Sequence, residues 1–337
     1  MSDQAQKDET GTSAEAGPKV SFRIAEEGDA GQRLDNFLMR LFRKVPKSRI
    51  YRLLRRGEVR VNGKRAKPEH RLAAGEKVRI PPIRVEVDDD VEMAPPPSRS
   101  LQSYLEQAIV FEDDYLLVLN KPAGVAVHGG SGLAHGVIEA LRAARPTLKE
   151  LELVHRLDRE TSGCLLIAKR RSALRELHAR LREREMDKRY FALVNGQWSL
   201  GKKTLDMPLK TNQKQGGERM VRVHAEGQSA LSVFQPFEKF GKRATLMDVS
   251  IGTGRTHQIR VHAAYAGHPV AGDEKYGDKA GNEALREFGL RRMFLHAHTL
   301  GFTHPGTGKA FLATAPLDPE LEAVLQSLRS ATAKRSR

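Results

Sequence analysis

The stretch VHRLDRETSG at residues 154–163 places five ionisable side chains between two apolar segments. The turn-forming Thr-Ser-Gly triplet at its end predicts a loop that leads into an apolar strand over residues 164–168. Loops carried by a rigid scaffold often hold catalytic groups, so Asp158 is the first candidate for a reactive residue. A structural alternative stays open at this point, because Asp158 could pair with Arg156 or Arg159 and simply hold the loop.

Around this loop the chain alternates between short apolar runs and polar turns. Apolar residues at helical spacing predict one helix over residues 174–181. The predicted strands cover residues 108–111, 116–121, 165–168, 191–194, 244–251 and 311–315. Because strands outnumber helices without strict alternation, the sequence predicts an α+β domain over residues 105–325, with a largely antiparallel mixed sheet.

A second unit is predicted over residues 31–84, which hold 17 basic and 4 acidic residues of a chain whose net charge is +15. Helical spacing predicts two helices here, the second capped by Ser48 and ended by Gly57, and Asn62-Gly63 predicts a type I′ hairpin. Such a concentration of positive charge favours a polyanionic partner. The basic residues expected to share one face are Arg49, Arg52, Arg55, Arg56, Arg60, Lys64 and Arg65.

Three further segments complete the expected organisation. Residues 1–30 are polar and acidic, and we expect them to be a disordered extension. Residues 85–104 contain an aspartate run and three consecutive prolines, which predicts an extended linker. Residues 326–337 are expected to form a basic tail.

Composition excludes several classes of protein. With 39% hydrophobic residues the chain can form a packed core, yet no run approaches the roughly 20 apolar residues of a membrane helix. A single cysteine, Cys164, excludes a disulfide scaffold and favours a reducing compartment, so we expect a cytoplasmic protein without a membrane partner.

Motifs for cofactors are incomplete. The GTGK stretch at residues 306–309 resembles a phosphate-binding loop, but Thr303 and Ala310 stand where such a loop needs a glycine and a hydroxyl residue. His257 and His262 lack the intervening glutamate of a zinc helix. A metal site that also used His296 and His298 stays open, although hydrogen-bonded structural histidines are the simpler interpretation. We therefore expect no metal and no nucleotide cofactor.

The order His-Arg-Leu-Asp-x-x-Thr-Ser-Gly resembles the catalytic loop of the RluA-type pseudouridine synthases, and residues 31–84 resemble the S4 RNA-binding domain. The resemblance implies a pseudouridine synthase catalytic domain plus a small α/β S4-like domain. Residues 45–48 and 128–133 favour members that act on large-subunit (23S) ribosomal RNA. Other similar segments are Asn120–Gly124, Lys188–Ala192, Gly254–His262, Gly267–Pro269, Gly272-Asp273, Tyr276-Gly277, Leu295–Ala297 and His304-Pro305.

The resemblance also implies the catalytic residues of an isomerisation that needs no cofactor. Asp158 is the essential carboxylate, either as a nucleophile on the sugar or as a base on a ribose proton. Arg260 is the cation that keeps Asp158 ionised and oriented. Tyr190 packs against the target base, and its hydroxyl could transfer a proton at C5.

Further residues are expected to bind RNA. A stacked uridine must be flipped out of folded RNA, and Arg156 resembles the residue that fills the vacated position. Arg255 is the second candidate for the partner of Asp158 and the first candidate for a phosphate contact. His155 is grouped with the RNA-binding residues, as are Arg49, Arg52, Arg55, Arg56 and Lys64 of the basic unit.

Two other functions stay open. A non-catalytic ribosome-assembly factor would use the basic unit and a catalytically inactive second domain. An RNA-directed nucleosidase would release uracil. The lack of an obvious second carboxylate disfavours the nucleosidase. We expect a monomer with large-subunit ribosomal RNA as its partner.

Overall fold

The computed structural model describes residues 20–42, 45, 47–82, 96–129, 135–213 and 219–334. Most of the extension expected to be disordered lies outside these residues, as do residues 83–95 of the expected linker. The chain divides into two compact units, Met1–Met93 and Ala94–Arg337, and each unit has its own sheet and apolar core. Within the described ranges, no helix combines the length and the apolar composition needed to cross a bilayer.

The first unit packs two helices against a four-stranded antiparallel sheet in which β4 lies between β1 and β2. Its first helix turns three large apolar side chains into the core, Leu34, Phe37 and Leu38, as their helical spacing predicts. The elements are β1 (Ser21–Ile24), α1 (Leu34–Leu41), α2 (Lys47–Arg56), β2 (Arg60–Val61), β3 (Lys64–Arg65) and β4 (Lys77–Ile80), with a 3-10 turn at Glu27–Asp29.

The turns of this unit confirm two predictions and correct one. Gly57, which follows the last residue of α2, has φ of 70°, and Asn62 and Gly63 both have positive φ, as a type I′ turn requires. Ser48 does not cap α2, because the helix already begins at Lys47.

The expectation that all of residues 1–30 are disordered is wrong for the last ten. Strand β1 pairs antiparallel with β4, with Ser21 opposite Ile80, and the following Ala25 is buried. All four side chains of β1 are exposed, so the strand is held by backbone hydrogen bonds at a sheet edge. Its sequence alternates apolar and polar residues, which is typical of a strand, but the acidic composition of residues 1–30 as a whole outweighed these few residues in the prediction.

The second unit is built on a ten-stranded mixed sheet in the order β10-β13-β14-β9-β15-β8-β6-β5, with β16 beside β15 and β7 beside β8. Its strands are β5 (Ile109–Glu112), β6 (Leu116–Lys121), β7 (Glu152–Leu153), β8 (Ser162–Ala168), β9 (Asp187–Asn195), β10 (Lys203–Asp206), β13 (Leu231–Phe240), β14 (Ala244–Ile251), β15 (Leu295–Thr303) and β16 (Ala310–Thr314). A separate two-stranded ribbon is formed by β11 (Leu209–Gln213) and β12 (Arg219–Val223). The helices are α3 (Arg99–Gln107), α4 (Val137–Ala144), α5 (Arg171–Glu183), α6 (Gln258–Tyr265), α7 (Lys279–Arg286) and α8 (Pro319–Ala333).

The predicted α+β class with a largely antiparallel sheet is confirmed. Strands β8 and β15 form a parallel pair, which makes the sheet mixed. This pair requires the glycine at the end of the loop, since Gly163 has φ of 106° and a Cβ there would collide with the backbone of Ala297. The loop that carries Asp158 is thereby joined directly to the centre of the sheet.

Two boundaries of this unit differ from the predicted ones. The expected linker over 85–104 overlaps α3, which Ser98 caps by accepting the Leu101 N–H at 3.2 Å. The expected tail over 326–337 overlaps α8, where Leu328 is fully buried. Both boundaries were predicted from composition, which the proline run and the terminal basic residues dominate. The apolar residues of the two helices were therefore not recognised.

Candidate active site

A cleft of about 480 Å³, partly open to solvent, lies where the loop before β8 meets β9 and the start of α6. The three residues expected to be catalytic, Asp158, Tyr190 and Arg260, all line it. Two residues expected to bind RNA, Arg156 and Arg255, line it as well. The folded chain therefore brings into one cleft side chains that are up to 104 positions apart in the sequence.

The Asp158 loop is held from below by Lys121, a fully buried residue at the end of β6. Its ammonium group donates to the carbonyl oxygens of Pro122 at 2.7 Å, Val125 at 2.8 Å and Arg159 at 3.0 Å. Burial lowers the pKa of Lys121 to about 7. These bonds tie the Lys-Pro turn after β6 to the residue that follows Asp158, so the backbone beneath the carboxylate is fixed.

Arg260 is the cation that faces Asp158. Its Nη1 lies 3.5 Å from Oδ2 of Asp158, and the two side chains are 9% and 18% exposed. Burial alone would lower the pKa of Arg260, but hydrogen bonds with Asp273 outweigh burial and raise it. A permanently charged guanidinium at this distance stabilises the ionised form of a carboxylate.

Asp273 fixes the orientation of Arg260. Its carboxylate accepts the Arg260 Nε–H at 2.7 Å and the Nη2–H at 2.8 Å, and the backbone N–H groups of Lys275 and Tyr276 donate to its Oδ1. Burial would raise the pKa of Asp273, but these hydrogen bonds lower it, so it is ionised at neutral pH. With Nε and Nη2 engaged, the guanidinium presents Nη1 to Asp158.

Tyr190 forms part of the apolar wall of the cleft. It lies in the middle of β9, opposite Val249 of β14 and Ala297 of β15, and is 8% exposed. Burial, together with the charge of Asp158, raises the pKa of its hydroxyl. The phenol is therefore protonated at neutral pH and can donate a hydrogen bond or a proton.

A second polar group faces Asp158 from the residue before α6. His257 has left-handed backbone angles (φ 55°, ψ 22°), and its Nε2 lies 3.9 Å from Oδ2 of Asp158. Its Nδ1 lies 2.8 Å from the hydroxyl of Tyr276, which accepts the Val221 N–H at 3.0 Å. Burial lowers the pKa of His257 from its ordinary value, which favours the neutral ring.

Of the three residues near the loop that are expected to bind RNA, two line the cleft and one does not. Arg156 and Arg255 are both exposed at the cleft, and Arg255 donates from Nε to the Ser229 carbonyl at 3.1 Å. His155 lies outside the cleft lining, where its Nε2 accepts the Leu166 N–H at 3.1 Å and burial lowers its pKa to about 4. The His155 ring thus contacts the backbone of β8, and its assignment to RNA binding stays a prediction.

The basic residues of the first unit lie at its surface. Arg49 is half-buried, whereas Arg52, Arg55, Arg56 and Lys64 are exposed. Arg65 donates from Nη2 to the Arg55 carbonyl at 2.7 Å and so joins β3 to α2.

The histidines considered as metal ligands are hydrogen-bonded within the fold. Nδ1 and Nε2 of His262 each lie 3.0 Å from an oxygen, Ser232 Oγ and the Met207 carbonyl. His296 contacts Ser162 Oγ at 2.9 Å and the Ala315 carbonyl at 3.1 Å. In the part of the chain that the structure describes, no group of three or more His, Cys, Asp or Glu side chains could hold a metal ion.

Sequence reasoning missed the roles of Asp273, His257 and Tyr276. Asp273 and Tyr276 were noted as parts of a similar segment without a role, and His257 was considered as a metal ligand. The signal that could have found Asp273 is the need of a buried arginine for a carboxylate partner beyond Asp158.

Both units of the chain match known protein families. Residues 115–265 match the family described as RNA pseudouridylate synthase, and residues 32–78 match the S4 domain. Among solved structures, human RNA pseudouridylate synthase domain containing 4 aligns with a TM-score of 0.57 at 25% identity, covering 68% of this chain and 96% of its own. Human RNA pseudouridylate synthase domain containing 1 aligns with a TM-score of 0.52 at 27% identity, covering 66% and 94%.

Similar proteins extend over nearly the whole chain. Ribosomal large subunit pseudouridine synthase C of Salmonella typhimurium is 55% identical over 316 residues, which cover 93% of this chain and 98% of that protein. The protein of the same name from Escherichia coli (strain K12) is 54% identical over 316 residues, with the same coverage.

Proposed function

The chain belongs to the RNA pseudouridylate synthase family, and we propose that it isomerises specific uridines of large-subunit ribosomal RNA to pseudouridine. The names of the two bacterial relatives support this substrate. The observation that carries the proposal is the 3.5 Å approach of Arg260 to Asp158 inside a cleft that Tyr190 also lines.

The proposed reaction rearranges bonds within one nucleotide. The bond between N1 of uracil and C1′ of ribose breaks, the base turns, and a bond from C5 to C1′ forms while the C5 proton is lost and N1 gains one. Asp158 acts on the sugar, either as a nucleophile at C1′ or as a base on a ribose proton. Arg260 orients that carboxylate through the 3.5 Å contact of its Nη1 with Oδ2.

Tyr190 and the apolar wall hold the detached base. A phenol ring that is 8% exposed offers a face on which uracil can pack, and its protonated hydroxyl is the group proposed to transfer the C5 proton. The buried Leu157 and the partner strands of β9 keep bulk water from the bond being rearranged, which suppresses hydrolysis to free uracil.

RNA binding is proposed to use two regions. Arg156, exposed at the cleft, occupies the place in the stack that the flipped uridine leaves, and Arg255 binds a phosphate beside it. The exposed arginines of α2 and Lys64 bind phosphates at the first unit without reading bases, in keeping with its match to the S4 domain.

The test is release of tritium from ribosomal RNA labelled at C5 of uridine. Unmodified large-subunit RNA incubated with the purified chain is expected to release tritium to water in proportion to the pseudouridine formed. Small-subunit RNA of equal label content is the matched control. Release of free labelled uracil would instead indicate a nucleosidase, and tight binding without any release would indicate the non-catalytic assembly factor.

We also propose that the protein acts as a monomer in the cytoplasm. The single cysteine, Cys164, is buried and free, which suits a reducing compartment. Light scattering of the purified chain should give a mass near 37.5 kDa, and a value twice as large would refute the monomer.

A further inference from the structure

Tyr276 touches both polar groups that face the carboxylate of Asp158. Its ring lies under the guanidinium of Arg260, with 5.1 Å between the Arg260 Cζ and the ring centroid. Its hydroxyl lies 2.8 Å from Nδ1 of His257. Arg260 Nη1 and His257 Nε2 approach the same oxygen of Asp158, Oδ2, at 3.5 and 3.9 Å. Tyr276, which lies outside the Asp158 loop, thus contacts both residues that approach Oδ2 of Asp158.

The hydrogen bonds of the hydroxyl decide where the His257 proton lies. The Val221 N–H already donates to the tyrosine oxygen at 3.0 Å, so that oxygen acts there as an acceptor. A phenol has one proton of its own, and Nδ1 of His257 is placed to accept it. A neutral imidazole that accepts at Nδ1 carries its proton on Nε2, the nitrogen that faces Asp158.

The opposite arrangement leaves hydrogen-bonding capacity unused. If Nδ1 carried the proton, the Tyr276 oxygen would accept two bonds, and its own proton would have no acceptor among the residues that the structure describes. Nε2 would then present a lone pair to the carboxylate oxygen, which is repulsive. The charged groups around the ring are Asp158, Arg260, Asp273 and Lys275.

We propose that Tyr276 is a positioning residue, which fixes His257 in the tautomer with its N–H directed at Oδ2 of Asp158. The left-handed backbone of His257 supports this, since a non-glycine residue in that region is uncommon and its strain must be offset by contacts that hold the ring. The carboxylate is then oriented by two N–H groups, one from Arg260 and one from His257. This inference rests on the proposed function for its kinetic consequence but not for the tautomer itself.

The test uses Tyr276→Phe, which keeps the ring beneath Arg260 and removes only the hydroxyl. The matched control is Tyr265→Phe, at the exposed end of α6. In the full-length protein at a pH where His257 is neutral, ¹⁵N NMR of labelled histidines is expected to show Nε2–H in the parent protein and a shift toward Nδ1–H in Tyr276→Phe. His257→Asn assigns the signal, because asparagine tolerates the left-handed backbone.

Kinetics with ribosomal RNA complete the test. Tyr276→Phe is expected to lower kcat about tenfold with KM unchanged, and Tyr265→Phe to leave both unchanged. An Nδ1–H tautomer in the parent protein overturns the proposal even if the variant fails to fold. A lower affinity for RNA with unchanged kcat overturns it as well. A parent protein that releases no tritium refutes the proposed function, while the NMR result still decides the tautomer.

Discussion

The buried carboxylate of Asp273 holds the guanidinium of Arg260 through two hydrogen bonds of 2.7 and 2.8 Å. This pairing leaves the third nitrogen of the guanidinium free to approach Asp158 at 3.5 Å. Arg260 therefore serves two carboxylates, one that holds it and one that it activates. The holding contact is the shorter one, so the geometry of the reactive contact depends on it.

Replacing Asp273 with Asn is the first test of this dependence. The variant keeps the size of the side chain but removes its negative charge. Asp158 is then the remaining carboxylate that contacts Arg260. Removing one member of a buried ion pair costs about 3 kcal/mol in the free energy of unfolding. We expect a loss of that size in urea denaturation, together with a large drop in kcat.

Asp114→Asn is the matched control, because the Asp114 side chain is 82% exposed and its contact with Arg170 is 3.7 Å long. Its free energy of unfolding should change by less than about 0.5 kcal/mol. If Asp273→Asn were as stable and as active as the control, the buried pair would not hold Arg260 in place.

Asp158→Asn separates chemistry from RNA binding. The amide has nearly the shape of the carboxylate but can act neither as a nucleophile nor as a base, so tritium release should fall by about 1,000-fold or more. RNA affinity, measured by filter binding, should stay nearly unchanged. Glu160→Gln removes the same charge two residues along the loop from a half-exposed side chain, and it should retain activity. Substantial activity in Asp158→Asn would refute the catalytic role of Asp158.

Lys121 gives a prediction about pH. Its pKa in the folded protein, about 7, lies below its ordinary value of 10.5, so between these values the unfolded state binds more protons. The free energy of unfolding contributed by Lys121 therefore rises with pH in this window, by about 1 kcal/mol per pH unit. We expect the stability of the parent protein relative to Lys121→Met to increase between about pH 7.5 and 9.5.

Subtracting the free energy of unfolding of Lys121→Met from that of the parent protein cancels the contribution of the other titrating groups. Lys121→Met keeps most of the length of the side chain and removes the amine. Lys169→Met, at a lysine paired with Glu112 at 2.6 Å, is the matched control. A flat difference for Lys121 would mean that its three carbonyl partners keep the ammonium charged throughout this range.

The sequence was most informative where chemistry is local. The loop before β8, the type I′ turn at Asn62-Gly63 and strand β14 were all recognised from short patterns, because turn chemistry and alternation act over a few residues. The structure also brings Asp158 and Arg260 together, as their resemblance to family motifs implied. Their catalytic roles stay predictions.

The rest could not be predicted because it depends on contacts between distant segments. Asp273 lies in a turn after α6, and its contact with Arg260 could not be predicted from the Gly272-Asp273 segment alone, because the contact depends on how that turn packs against α6. Strand β1 alternates apolar and polar residues, but Phe22 and Ile24 are exposed, and its place in the sheet depends on its pairing with the distant β4. The misplaced boundary at α8 has the same origin, since its apolar face is defined by the elements it packs against.

The arginines of α2 give the last prediction, which concerns salt. If Arg52 and Arg56 each neutralise one phosphate, changing both to Gln should lower RNA affinity and reduce the slope of log affinity against log salt by about 1.5. Lys202→Gln with Lys203→Gln removes two exposed positive charges from the second unit and is the matched control, with an expected slope close to that of the parent protein. Filter binding over a range of salt concentrations measures both slopes. Equal slopes for the two double variants would show that the charge of the first unit does not contact RNA phosphates, and its match to the S4 domain would then need another explanation.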